Sequence, residues 1–367
     1  MNAKEEPDSR RSTSSSSIEL DQVLATKHAH PRDARVRFFD ATHHYEVDGS
    51  KYDISVTGVW SQYFDHFDAD ASIQKNLDKW RRNPRGKYFE LIKYLDFARD
   101  ETRTRRAHAQ LPESKTTDAR VADPKRNEQL LRYLDLVRGC SDDHALDEAL
   151  RAFEAYDGPQ VEHDHDHVAA AIKKMWEAYG NKQADLGTAM HREFEFYMNR
   201  LERDGHDDAL QELSDGPESD QFRKWLVAWP QARGWKPYRT EWSIFCETVR
   251  VAGQIDSVWR RPDGKLVIVD WKRCKGLLGP GQMHWDRFGK GPCRNIPNTS
   301  FGHYTIQQNM YAYMLRVDYG IEVETIYLGQ MHRNHKTFNM VEVPRRENVI
   351  QQIFYERLEK IGSGEEK

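Results

Sequence analysis

A chain of 367 residues is long enough for one large or two ordinary domains with a sizeable apolar core, which excludes a small scaffold held together by disulfides. Lysine plus arginine number 55 against 59 aspartate plus glutamate, a net charge of −4, so no global basic field draws in nucleic acid and any such site must be local. Apolar residues make up 38% and charged ones 31%, a balance that implies some solvated tail or loop, and the longest apolar run, Met310 to Leu315, is far below the about 18 residues needed to span a bilayer, so no membrane role is expected.

Residues 1–33 read as a disordered Ser-rich tail: acidic Glu5, Glu6 and Asp8, then Arg10, Arg11 and a Ser/Thr run to Ser17, without the apolar core of a secretory leader. Order is expected from residue 34. Val36 to Phe39 and His43 to Val47 form short strands, and Asp48-Gly49 turns the second back into Lys51 to Ser55. Ser55-Val56-Thr57 opens a helix, and Ile73, Leu77 and Trp80, spaced by four and three, mark another, so that 34–82 is a small β lead-in with helices. Residues 83–165 are charge-dense and broken by Pro84, Pro112, Pro124 and Pro159, and read as a charged helical insertion whose basic clusters are mostly solvated helix faces. The tract His163 to His167 is expected to be a solvated loop.

Residues 166–345 carry the sharpest pattern. A long helix from Val168 to Leu201 precedes strands at Tyr238 to Cys246, Val249 to Trp259 and Leu266 to Trp271. A helix from Tyr304 to Tyr319 and a strand from Val323 to Gln330 follow. The order α-β-β-β-α-β predicts an α/β fold with a mixed central sheet flanked by helices. Val349, Ile350, Ile353, Phe354, Leu358 and Ile361 then mark an amphipathic helix within 346–367.

The informative stretch is Val251 to Lys272, two β-rich runs around Arg-Pro-Asp-Gly-Lys. A hairpin loop of Pro262, Asp263 and Gly264 pairs Arg261 with Lys265 and sets Asp256 opposite Asp270. Directly opposed residues have Cβ atoms about 4.5–5.5 Å apart, and like charges there are destabilising unless a cation neutralises them. Strand alternation puts Lys272 on the face of Asp270. Oxygen ligands suit Mg²⁺ or Mn²⁺, which polarises a phosphoryl oxygen and acidifies water, and Lys272 orients that water or stabilises developing charge. Upstream, His191 has Glu195 four residues on, on the same helix face, and downstream Gln307 and Tyr311 have the same spacing.

Taken together, Gly187-x-x-x-His191, Gly253-x-x-Asp256, Asp270-Trp271-Lys272 and Gln307-x-x-x-Tyr311 resemble the RecB-type branch of the PD-(D/E)XK nuclease superfamily, similar to mitochondrial genome maintenance exonucleases and related viral and phage exonucleases. The resemblance implies a restriction-endonuclease-like core and metal ligation by His191, Asp256 and Asp270 with the main-chain carbonyl of Trp271. It also implies Lys272 as catalytic lysine, Gln307 and Tyr311 as accessory residues, and Glu241 as a further acidic group near the metal. The implied activity is hydrolysis of DNA phosphodiesters with Mg²⁺ or Mn²⁺, leaving a 5′-phosphate, acting without sequence specificity from single-stranded or frayed ends in replication, repair or recombination. A helicase or another replication or repair protein is the partner it suggests.

The local basic stretch of Arg273, Lys275, Lys290 and Arg294 is the expected grip on a phosphate backbone. Cys140, Cys246, Cys274 and Cys293 are widely spread, which points to reduced thiols in an intracellular compartment. Several nucleases of the family the chain resembles carry a four-cysteine iron–sulfur cluster with three ligands near the C-terminus, and since no cysteine follows Gln307 here, the resemblance implies no cluster. Other readings of the same residues are a catalytically inactive nucleic-acid-binding protein with the nuclease fold, and a ribonuclease.

Overall fold

The structure is a computed structural model and describes residues 20, 22–52, 54–86, 88, 89, 91–93, 95, 96, 166–282 and 287–364. Most of the expected charged insertion, Cys140 and the tract from His163 to His165 lie outside these residues. The chain divides into two compact units, Met1–His66 with Leu186–Lys367, and Phe67–Asp185.

Order begins earlier than residue 34. Helix α1 (Val23–Lys27) buries Leu24, whose N–H donates to Asn199 Oδ1 at 2.9 Å. That anchor corrects the reading of 20–33 as tail, because an apolar side chain and a buried amide together offset the entropy of ordering the segment. Strands β1 (Val36–Phe39), β2 (His44–Val47) and β3 (Ser50–Tyr52) then form an antiparallel sheet. Asp48 and Gly49, at φ 50° and 76°, supply the left-handed pair that a two-residue hairpin needs where Val47 meets Ser50. The expected strand Lys51 to Ser55 is in fact two. Ile54–Ser55 (β4) leaves this sheet and pairs parallel with Val251 and Ala252, and Ser55 Oγ there accepts the Gly58 N–H at 3.1 Å to cap α2 (Val56–Ser61).

The larger sheet is mixed. It runs β4, β6 (Val251–Arg260), β7 (Leu266–Lys272), β8 (Val323–Gln330), β9 (Asn339–Glu342), with β5 (Lys236–Cys246) against the other edge of β6. β6 is antiparallel to both β5 and β7, β7 and β8 are parallel, and β9 turns back antiparallel on β8. β7 is buried on both faces except at Lys272, as a strand with a parallel neighbour and covered faces must be.

Its alternating residues feed two cores. Ile268, with Ile255, Val258 and Ile326, packs under α6 (Ser300–Tyr319) and α7 (Glu347–Ser363) through Ile306, Met310, Met314, Ile350 and Ile353. Val267, Val269 and Trp271 pack instead with Met190, Phe194 and Tyr197 of α4 (Asp166–Asp204) and Phe222 and Trp225 of α5 (Pro217–Leu226). Trp225 and Trp242 are thus buried core residues. On α7 the apolar face stops one position short of the expected one: Leu358 is 44% exposed, while Arg357 is buried and donates Nε to the Val249 carbonyl.

In the second unit, α3 (Ala69–Arg82) is capped by Asp68, whose Oδ1 accepts the Ala71 N–H at 2.9 Å. Ile73 and Leu77 are its buried stripe, packed with Leu91, Ile92, Leu95, Val168, Ile172 and Met175. Residues of α4 as far as Asp185 belong to this unit.

Candidate metal centre

The β6–β7 hairpin has the register that its turn predicts. Ser257 pairs with Val269, Arg260 with Leu266, and the Arg261 N–H donates to the Lys265 carbonyl at 2.9 Å around Gly264 at φ 85°. One step beyond Ser257–Val269 lie Asp256 and Asp270, and there the strands fork. The same edge of β6 is taken by β4 at Val251 and Ala252, which leaves residues 253–256 between two partners. The Trp271 N–H, without a ladder carbonyl at the fork, donates to Asp256 Oδ2 at 2.8 Å.

On the other side of β6, Thr240 pairs with Ser257 and Trp242 with Ile255, so Glu241 lies opposite Asp256. Three carboxylates from adjacent strands therefore form one row: Glu241, Asp256, Asp270. Glu241 has φ 40°, a left-handed conformation costly for a residue with a Cβ, and Gln254 Nε2 donates to its displaced carbonyl at 3.1 Å.

His191 reaches this row from α4. Its Nε2–H donates to the Trp271 carbonyl at 3.0 Å, which turns the Nδ1 lone pair toward Asp256 Oδ2 at 3.6 Å and Glu241 Oε1 at 3.9 Å. One donor atom from each of His191, Glu241 and Asp256 lies within 4.8 Å of the other two, a spacing that a single cation can bridge. Gly253, three residues before Asp256 in the sequence, lets the helix approach: a Cβ there would stand 2.6 Å from Tyr311 Cε1 and 2.9 Å from Val56 Cγ2.

Electrostatics make the row need positive charge. Burial, reinforced by the Asp256 charge, pushes the Asp270 carboxyl up to about 7. Burial also raises Asp256, against the pull of Lys272, and lifts Glu241 well above the carboxylate range with help from Asp256 and Glu195. Burial, with the Lys272 charge, lowers His191 to about 4, which keeps the imidazole neutral and its lone pair available at pH 7. Burial pulls the Lys272 ammonium down, but Asp270 and Asp256 outweigh it and hold its pKa above the ordinary value. Lys272 Nζ sits 2.6 Å from Asp270 Oδ2 and 4.7 Å from the centre of the Tyr304 ring. With all three carboxylates ionised, one ammonium would leave two negative charges, which one divalent cation would neutralise. The donor set of imidazole and carboxylate fits such an ion.

Two residues of the expected ligand set are differently occupied. Asp270 pairs one oxygen with Lys272 and with the other, Oδ1, accepts from Gln308 Nε2 at 2.6 Å, while Glu241, the further acidic group expected near the metal, joins His191 and Asp256 in the donor group. The Trp271 carbonyl orients His191. Gln307 does not reach the carboxylates: its Nε2 donates to Thr57 Oγ1 at 3.2 Å and to the Tyr311 hydroxyl at 3.5 Å. Tyr311 is buried and its phenol is raised well above its usual value by that burial. Gln308 and Tyr304 were missed by the sequence reading. Their own i, i+4 spacing is the signal that could have found them, since it repeats that of Gln307 and Tyr311 one helix face away.

Of the basic stretch, Arg273 is unavailable to a phosphate: its side chain is 5% exposed and paired with Glu218 at 3.0 Å, because the chain after β7 turns in against α5. Lys275 and Arg294 are exposed, and Lys290 pairs with Asp65 at 2.5 Å. Cys246, Cys274 and Cys293 are free thiols. No helix among the described residues is long and apolar enough to cross a membrane.

An open cleft of about 980 Å³ leads away from His191 and Glu241 between α4, β5 and the segment from Gln22 to Asp40. No family model and no curated protein matches the chain. A solved structure titled "Crystal structure of SSO0001" is similar over 47% of this chain and 73% of its own, at 12% identity and a TM-score of 0.21, too low a likeness to assign a fold or a function.

Proposed function

We propose that the protein is a divalent-metal-dependent deoxyribonuclease, acting without sequence preference from single-stranded or frayed DNA ends, on a restriction-endonuclease-like core. The observation that carries this reading is the convergence of His191, Glu241 and Asp256 within 4.8 Å beside a lysine paired with a buried aspartate. His191, Glu241 and Asp256 would hold a Mg²⁺ or Mn²⁺ ion, and such an ion polarises the scissile phosphoryl group and acidifies a water.

The chain's own residues supply the rest. Gln308 and Lys272 divide the oxygens of Asp270 between them, so that carboxylate is a fixed support on which the ammonium is positioned. Lys272 then stabilises the charge that develops on the phosphoryl oxygens as water attacks and the 3′ oxygen leaves, giving a 5′-phosphate end. The Trp271 carbonyl keeps His191 in the tautomer whose free nitrogen faces the carboxylates.

The test incubates purified protein with end-labelled single-stranded and duplex DNA, with and without Mg²⁺ or Mn²⁺, beside Lys272→Ala. Metal-dependent cleavage that disappears in the variant supports the reading. Retention of DNA without cleavage under every metal condition would replace it with a binding protein, and cleavage confined to RNA would make it a ribonuclease.

A further inference from the structure

The cleft that opens from His191 has a built wall whose residues the metal centre does not use. Along α4, Thr188, His191, Arg192, Glu195 and Phe196 all line it, and their spacing of i, i+3, i+4, i+7 and i+8 is one face of the helix. At about 1.5 Å per residue, that face carries Arg192 and Phe196 along the cleft from the imidazole in the direction of the C-terminus. The opposite wall is β1, which contributes Arg37 and Phe38. Both walls belong to the first unit.

Three of the four, Arg37, Arg192 and Phe196, lack an acidic partner or a place in an apolar core among the described residues, and Phe38 packs against the edge of one core. Arg37 and Arg192 are exposed, and neither has a carboxylate partner among the described residues, whereas Arg239, on the floor of the same cleft, is 5% exposed and held by Asp33 at 2.7 Å. Phe196 is half-buried and packs into none of the three apolar cores; its ring lies under Arg192, with the guanidinium carbon 5.0 Å from its centre. Phe38 is also half-buried: it lines the cleft while its ring packs at the edge of the first core, tilted on Tyr45 at 4.8 Å. Two unpaired guanidinium groups and two aromatic rings in one open cleft match a chain of phosphates and unstacked bases, since cationic side chains track the backbone and rings stack on bases of any identity.

We propose that this cleft seats a single DNA strand on its way to the metal centre, with Arg37 and Arg192 on successive phosphates and Phe196 and Phe38 against bases. The assignment rests on the nuclease reading for its direction and adds to it the surface that selects an unpaired strand. A duplex keeps its bases stacked and presents no free face to either ring, so the walls discriminate by base availability rather than by sequence. The basic residues after β7 are not part of the cleft lining.

The experiment measures fluorescence anisotropy of a labelled oligothymidine, in EDTA so that no cleavage occurs, for the full chain, Arg37→Gln/Arg192→Gln, Phe196→Ala and Lys272→Ala, across a series of salt concentrations and with melting curves as a folding control. Each single-strand phosphate contact contributes about 0.7 to the slope of log affinity against log salt, so loss of two should lower the slope by about 1.4. Phe196→Ala should weaken binding about 5- to 150-fold at an unchanged slope, the range for one stacked base. A double arginine variant that folds and binds with the wild-type slope overturns the proposal, as does a duplex or an RNA strand that binds more tightly than the DNA strand. The nuclease reading fails separately: binding that depends on Arg37 and Arg192 in a protein that cleaves nothing with Mg²⁺ or Mn²⁺ retains the cleft as a strand-binding surface and removes the hydrolysis.

Discussion

Gln308 Nε2 donates to Asp270 Oδ1 at 2.6 Å with neither residue more than 1% exposed, while Gln307, its neighbour on α6, turns to Thr57. Consecutive helical residues point about 100° apart, so only one of two adjacent glutamines can meet the carboxylate row. Gln308→Ala should therefore cost about 1.5–3 kcal/mol of stability, the range for a hydrogen bond to a charged group. Gln307→Ala should cost less than about 1 kcal/mol. Urea unfolding of both variants in EDTA reads the difference, and equal losses would show that the amide of Gln308 supports nothing.

A second prediction concerns pH. Asp270 in the folded chain titrates at about 7, against an ordinary value of 3.8, so between those values the folded form keeps a proton that the unfolded form has released. Stability contributed by this group must then fall as pH rises from about 4 to 7. Asp270→Asn removes that penalty. The gap in melting temperature between Asp270→Asn and the wild type, measured in EDTA, should widen in favour of the variant over this window, and a constant gap would contradict the raised carboxyl.

Metal should relieve the same repulsion. Added Mn²⁺ or Mg²⁺ at 100 times its dissociation constant should stabilise the wild type by about 2.7 kcal/mol. Differential scanning calorimetry of His191→Ala, Glu241→Gln and Asp256→Asn should show most of that increment lost in each. A wild-type increment preserved in Glu241→Gln would place the ion elsewhere.

The backbone of Glu241 gives a fourth test that is independent of charge. At φ 40° a Cβ costs roughly 1–2 kcal/mol, so Glu241→Gly should be more stable than Glu241→Ala. In an ordinary strand the order is the reverse, because glycine loses more conformational freedom on folding. Chemical denaturation of the two variants decides it, since both lack the carboxylate.

Much of the site was legible in the sequence because it depends on short-range geometry. Pro262-Asp263-Gly264 determines the turn, the turn determines the β6–β7 register, and that register brings Asp256 and Asp270 to the step just beyond the last pair, with Lys272 on the face of Asp270. Helix phase places His191 and Glu195 together on α4, and Gly253 is legible as a motif glycine whose need becomes evident against Tyr311. Tertiary packing alone decided the remainder. The rotation of α6 against the sheet chose Gln308 over Gln307, and the pairing of β5 fixed the distance of Glu241 from His191 and Asp256. Packing of the chain after β7 on α5 buried Arg273 against Glu218, and docking of Leu24 beside Asn199 folded residues that composition reads as tail. The physical reason is one of range: turn chemistry and side-chain period are properties of neighbouring residues, whereas helix rotation, strand partnership and the burial of a charge are settled only when distant segments compete for the same surface.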